Sequence, residues 1–309
     1  MLLPFPAQRP LAAAMAAPLH ARVGDLEWRH FPDGESLVTL DEHLDGADVA
    51  IVASLRDVDA LALALRFAAA TAREFGARSV GLVAPYLAYM RQDKRFRPGE
   101  AVSAPLFARF LEAEFDWLVT VDPHLHRIPS LDRVYRIPTR TVDATALVAG
   151  WIGREVPDAV LIGPDQESRQ WIARIAGMAG MPFQVLEKQR RGDREVSVSE
   201  LDAGLFRGRN PVLVDDIVSS GHTMIEVLRQ LDRLHLPPAT CVAIHAVFAD
   251  DSFQRLLAAG AARVVSTDTI VHASNAISVA GLLAQASFEL LHPGPRPAQA
   301  SGRVDQRIE

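Results

Sequence analysis

Residues 211–228, PVLVDDIVSSGHTMIEVL, leave few folds open to this chain. Val212, Leu213 and Val214 form an apolar, mostly β-branched run after a turn at Arg209-Asn210-Pro211, the pattern of a strand buried in a parallel sheet. Met224, Val227, Leu228, Leu231 and Leu234 then recur at helical spacing. Between strand and helix lie two carboxylates and a hydroxyl-rich turn. Such a strand–loop–helix unit puts its loop at the carboxyl end of the strand, where open α/β sheets bind ligands. Backbone N–H groups at the helix start, with the hydroxyls of Ser219, Ser220 and Thr223, suit a phosphate. Asp215 and Asp216 would repel that phosphate, and sugar hydroxyls, or a metal beside the sugar, are their natural partners. One reading is therefore a ribose 5-phosphate site. The other is an ordinary βα turn whose Asp and Ser side chains cap the helix.

The 309 residues suit one large or two medium domains, and an apolar fraction of 49% supplies a core. A net charge of −6 argues against a dedicated nucleic-acid binder. The single cysteine, Cys241, excludes an internal disulfide and a Cys-rich zinc site, and its run CVAIHAVF reads as core. The stretch LAAAMAAPL reads as a small helix, not a signal peptide. No apolar run reaches membrane-spanning length, and a soluble cytoplasmic protein is expected.

Strands are expected at 49–53, 80–84, 117–121, 159–162, 185–186, 212–214, 242–248 and 264–265. Helices are expected at 60–75, from a Ser103 cap to about 115, at 167–179 and at 251–259. Two successive α/β units of similar size predict two tandem domains, residues 1–142 and 143–292, each a mainly parallel sheet flanked by helices, with a disordered tail at 293–309.

Further clusters fall in loops or at strand ends. Phe31-Pro32-Asp33-Gly34-Glu35 is a turn in which Gly34 supplies the tight bend; an aromatic beside carboxylates also suits an adenine. In YLAYMRQDKRFRPGE, residues 86–100, Arg91, Lys94, Arg95 and Arg97 make a positive field suited to a polyphosphate. Asp122-Pro123-His124-Leu125-His126 suits a metal or phosphate, and without cysteines a hard ion such as magnesium. Asp165, in GPDQES, is either a helix cap or a further metal ligand. Lys188 to Arg194, KQRRGDR, reads as a mobile cationic loop over an anionic site or as a charged surface hairpin.

DDIVSSGHT resembles the PRPP-binding signature of the type I phosphoribosyltransferase fold. With FPDGE, YLAYMRQD, TVDPHLH, GPD and LEKQRR in the same order, the chain resembles the ribose-phosphate pyrophosphokinases over about residues 30–285. That resemblance implies ATP contacts from Phe31, Asp33, Glu35, Arg91, Gln92 and Asp93. It implies a catalytic His124, which with Asp165 also serves a magnesium site, and a catalytic pair Lys188 and Arg190. Ribose 5-phosphate would be held by Asp215, Asp216, Ser219, Ser220, Gly221, His222 and Thr223. The implied reaction is pyrophosphoryl transfer from Mg-ATP to ribose 5-phosphate by a homo-oligomer, dimer or hexamer, in which FPDGE reaches a neighbouring subunit. A PRPP-consuming transferase and a non-catalytic regulatory homologue are the alternatives. The chain departs from the family at His222, where a glycine is usual, and at Glu167 and Ser168, in the place of paired glycines. Residues 54–60, SLRDVDA, lack the Ser/Thr-rich turn of the family's regulated members, which puts phosphate activation and ADP inhibition at a separate site in doubt.

Overall fold

In the computed structural model, residues 1–40, 43–125, 127–191 and 195–292 are described, the side chains of 188–198 excepted. The tail expected to be disordered lies outside them. The first half runs β1 (Leu2–Pro4), α1 (Arg9–Leu19), β2 (Leu26–His30), β3 (Ser36–Leu40), β4 (Asp48–Val52), α2 (Val58–Glu74), β5 (Ser79–Ala84), α3 (Ser103–Glu112), β6 (Trp117–Val121) and β7 (Thr139–Val142). The second half runs α4 (Thr145–Glu155), β8 (Ala159–Gly163), α5 (Arg169–Ala179), β9 (Phe183–Val185), β10 (Lys188–Arg191), β11 (Glu195–Val198), α6 (Ala203–Phe206), β12 (Asn210–Ile217), α7 (His222–Arg233), β13 (Thr240–His245), α8 (Ser252–Ala258), β14 (Arg263–Thr267), β15 (Asn275–Ile277) and α9 (Ala280–Leu291).

The two halves repeat one plan. Each has a parallel sheet, ordered β1-β4-β5-β6-β7 in the first and β9-β8-β12-β13-β14-β15 in the second. The second differs by the added edge strand β9. Each also carries an antiparallel hairpin, β2-β3 or β10-β11, inserted before the strand that leads to the α2 or α7 loop. The central strands have buried apolar cores, and β6 and β8 are buried along their whole lengths, which is why apolar runs located them. Close strand packing constrains composition: a Cβ on Gly81 would lie 1.9 Å from the Trp117 ring across the β5–β6 pair.

One apolar cluster is continuous across the halves. It takes Leu2, Leu11 and Met15 from the first half, Val148 and Ile152 from α4, and Val212, Val214 and Leu283 from the second. Helix α9 packs on α1 and against β6 and β7, so the last described element lies on the first sheet.

Several expectations shift. Ser103 is not the cap of α3: Val102 holds that position without a side-chain bond, and Ser103 Oγ donates to Gln92 Oε1 at 3.0 Å. The KQRRGDR segment, read as a mobile cationic loop or as a charged surface hairpin, has its Lys188–Arg191 backbone in a hairpin, with Lys188 opposite Val198 and Arg190 opposite Val196. Strands β1 and β7 and helices α4 and α9 are among the elements that were not anticipated, with β2, β3 and β15. The first is only three residues long, and the TRTV of β7 sits among prolines with no apolar run.

Candidate active site

Strand β12 carries Asp215 and Asp216 to its carboxyl end. There the Asp216 N–H donates to Asp215 Oδ1 (3.1 Å) and the Ile217 N–H to Asp216 Oδ1 (2.8 Å). The loop beyond is pinned to the next strand's exit. The Val218 N–H donates to the His245 carbonyl (3.1 Å), and the Phe248 and Ala249 N–H groups donate to the Val218 and Ser219 carbonyls (2.9 and 3.1 Å). Gly221 has φ +68° and precedes α7. A Cβ there would meet Leu256 at an ordinary 3.5 Å, so it is the backbone conformation, not space, that favours glycine. His222 consequently needs no left-handed geometry; it opens α7, with Nδ1 2.9 Å from Ser220 Oγ. Ser219, Ser220, Gly221, His222 and Thr223 line a 140 Å³ cavity with both aspartates, at the start of a twelve-residue helix whose first N–H groups are free to meet an anion.

The first half closes this cavity. His124, just past β6, sets its Nδ1 3.1 Å from Asp216 Oδ2, and Arg91, in the segment after β5, lines the same space. Asp165 and Glu167, after β8, complete it. Asp165 also caps the short 3₁₀ turn that follows, accepting from the N–H groups of Glu167 (3.1 Å) and Ser168 (3.3 Å). Ser168 is buried with Oγ donating to the Asp165 carbonyl (2.6 Å), an arrangement a side chain at Gly163 would block. Asp165, Glu167, Asp215 and Asp216 also face a larger 660 Å³ cavity, walled by Asp122, Leu125 and Trp171.

One buried residue of this region, His245, was not singled out from the sequence, whereas half-buried Asp122 heads the Asp-x-His-x-His string read there. Asp122 has φ +32°, and burial pushes its carboxyl up to about 7, against the pull of the Ala144 N–H, which donates to Oδ2 at 2.8 Å. Burial pushes His245 down to about 4, so the ring is neutral at neutral pH. A histidine in the run CVAIHAVF, at the exit of a strand carrying no other ionisable group but Cys241, was the available signal.

The remaining predicted residues separate into groups. Asp93 is turned inward: Arg127 Nε and Nη2 donate to its carboxylate at 2.6–3.0 Å, and its side chain is 2% exposed. Burial alone would raise its pKa, but the Arg127 hydrogen bonds and charge lead the contributions that bring it below the usual carboxylate range. Gln92 is engaged with Ser103 and, through its N–H, with the Tyr89 carbonyl. Phe31, Asp33 and Glu35 form the exposed tip of the β2-β3 hairpin and line neither cavity; Gly34 there has φ +93°, and Arg29 lies over the Phe31 ring at 4.9 Å. Lys188 and Arg190 sit on β10, their side chains outside the described residues.

The turn after β4 is built differently from the one after β12. Arg56 donates from Nε to the Val247 carbonyl (2.9 Å) and from Nη2 to the Phe248 carbonyl (3.3 Å), joining the halves beside a 550 Å³ cavity.

Among the described residues no group of three or more His, Cys, Asp or Glu side chains is arranged to hold a metal ion by itself. The donors around the cavity nonetheless suit magnesium, which takes one or two carboxylates and completes its shell with water and phosphate oxygens. Asp165 could supply such an oxygen, and the His124 imidazole would be the less usual donor. No helix among the described residues is long and apolar enough to cross a membrane.

Comparison with known proteins agrees with this architecture. Residues 1–114 match the N-terminal domain of ribose phosphate pyrophosphokinase, and residues 130–280 match the phosphoribosyl transferase domain. The chain is 34% identical over 280 residues to the ribose-phosphate pyrophosphokinase of Methanopyrus kandleri, covering 89% of this chain and 94% of the relative. It is 35% identical over 290 residues to that of Halobacterium salinarum, covering 93% and 100%. The crystal structure of phosphoribosylpyrophosphate synthetase from Mycobacterium smegmatis superposes with a TM-score of 0.80 at 26% identity, over 95% of this chain and 99% of that one. With two phosphoribosyltransferase-like domains meeting at His124 and Asp216, the chain belongs to the ribose-phosphate pyrophosphokinase family, a family of diphosphotransferases.

Proposed function

We propose that this chain transfers the β,γ-pyrophosphoryl group of Mg-ATP to the C1 hydroxyl of ribose 5-phosphate. The C1 oxygen attacks the β-phosphorus, the bond from that phosphorus to the AMP oxygen breaks, and the hydroxyl proton is released; the products are PRPP and AMP. The observation that carries the reading is the meeting of His124 from one domain with Asp216 from the other at the mouth of a hydroxyl-rich helix-start loop. Ser219 to Thr223 hold the 5-phosphate through hydroxyls and backbone N–H groups. Asp215 and Asp216 orient the ribose hydroxyls. Magnesium, when bound, neutralises phosphate charge, and Asp165 with His124 would hold it. Lys188 and Arg190 stabilise charge on the transferring group, and Arg91 holds the donor phosphates. Gln92 and Asp93 shape the nucleotide segment, Asp93 through its tie to Arg127. The division between domains falls at residues 142 and 143, and the reaction takes place in the cytoplasm.

Phe31, Asp33 and Glu35 lie at an exposed hairpin tip and line neither cavity of their own chain, which supports their serving a second subunit's nucleotide. The functional unit is then at least a dimer, and a fully active monomer by light scattering at assay concentration would exclude it. The reaction itself is tested by phosphorus NMR on protein with ATP, ribose 5-phosphate and magnesium. AMP and PRPP appearing together support the proposal; ADP as the product, or no turnover, overturns it.

A further inference from the structure

We propose that His245 is a positioning residue: it fixes the 122–124 turn of the first domain to the sheet of the second, and so sets where His124 stands against Asp216. This deepens, and rests on, the function proposed above. His245 ends β13 and is 1% exposed. Its Nε2 lies 3.2 Å from the carbonyl oxygen of Asp122, two residues before His124. Its Nδ1 lies 3.0 Å from Thr269 Oγ1. A carbonyl only accepts, so Nε2 carries the hydrogen, which fixes the neutral tautomer and leaves Nδ1 as an acceptor facing the Thr269 hydroxyl, itself also 3.0 Å from the Ile244 carbonyl.

Tyr86, at the exit of β5, packs its ring 5.1 Å from the imidazole. The first domain thus meets this one side chain at two strand exits. Asp122 is held at its other end as well, where its carboxylate accepts the Ala144 N–H. The chain between Asp122 and His124 contains Pro123, whose ring restricts the backbone, so fixing Asp122 limits where His124 can lie. Both the His124–Asp216 contact and the His245–Asp122 bond are part-buried, but His245 itself is buried and lines neither cavity. Burial pushes the ring's pKa down to about 4, which keeps that donor and acceptor arrangement across the neutral range.

The test compares His245→Gln, His245→Asn, His245→Ala and Thr269→Val in the full-length protein. A Gln amide reaches the Nε2 position and restores the bond to Asp122; an Asn amide stops near the Nδ1 position and does not. His245→Ala and His245→Asn are expected to lose roughly ten- to hundredfold in kcat, with the KM for ribose 5-phosphate nearly unchanged. His245→Gln should recover most of that loss, and Thr269→Val, which removes the hydroxyl shared by Nδ1, Thr267 and the Ile244 carbonyl but leaves the bond to Asp122, should lose less kcat. In the unliganded protein the His124 ring resonances should shift in His245→Ala and return in His245→Gln. If Gln is as slow as Ala, or kcat follows melting temperature across the series instead of the donor, His245 is structural only. A wild-type protein without turnover would sink the proposed function; the His124 resonances would then decide the positioning role by themselves.

Discussion

The turns after β4 and β12 occupy the same place in two copies of one plan, yet they do opposite work. The second offers hydroxyls, a left-handed glycine and a helix start to an anion, with two carboxylates behind them. The first has Ser54, Leu55, Arg56 and Asp57 there; Asp57 takes the left-handed conformation (φ +54°), and Arg56 spends its donors on the carbonyls of residues 247 and 248 in the other domain. One copy of the turn lines a cavity with hydroxyls and a helix start, and the other commits its arginine to domain contact. The hairpins diverge in parallel: FPDGE gives the first an acidic, aromatic tip, while KQRR gives the second a cationic strand. A duplicated fold thus supplies two equivalent positions, and the side chains decide which becomes a site and which becomes a joint.

The comparison breaks most sharply at the cationic hairpin. Charge on the transferring group is met in the transition state, so losing a cation there lowers kcat with little change in KM. Lys188→Ala and Arg190→Ala are each expected to lose at least about a hundredfold in kcat, about 3 kcal/mol, while Arg191→Ala and Arg194→Ala stay near wild type. Near-normal turnover in Lys188→Ala would make the second hairpin a surface feature like any other. A smaller effect separates the two ligands at the second turn. Asp216→Ala removes a group proposed to bind the ribose, so kcat/KM for ribose 5-phosphate should fall roughly tenfold or more, with ATP binding by calorimetry largely retained. Equal weakening of both ligands in a folded variant would remove Asp216 from the sugar. The smallest effect belongs to the first turn. Arg56→Ala deletes two partly exposed bonds between domains, which contribute about 1 kcal/mol, and a drop of roughly 2–4 °C in Tm is expected by thermal unfolding. Its kcat should be unchanged; a large loss of turnover would make the first turn part of the active site.

The sequence made the central strands legible because each carries an apolar run buried on both sides, and DDIVSSGHT stood out because paired carboxylates and hydroxyls follow such a run where strand gives way to helix. It did not reveal that His124 and Asp216 touch, since 92 residues separate them and only the docking of two sheets brings them together. His245 escaped for a related reason. Its partners are a carbonyl 123 residues away and a threonine 24 residues away, and neither leaves a local pattern. Asp93 shows the converse. Its place in RQD was visible, but the bond to Arg127 that turns it inward depends on the path of a loop.

The packing of α9 on α1 has a consequence for how the molecule is made. Leu11, Ala12 and Met15 of α1 belong to the apolar cluster that Leu283 and Ala284 of α9 complete. Chain order places α9 after the whole of the first domain, so α1 is made before the helix that covers it. A chain cut between the domains would lack that cover and carry an open apolar flank, the kind of surface that draws proteins into aggregates. Among the described residues, the last helix thus fastens the first.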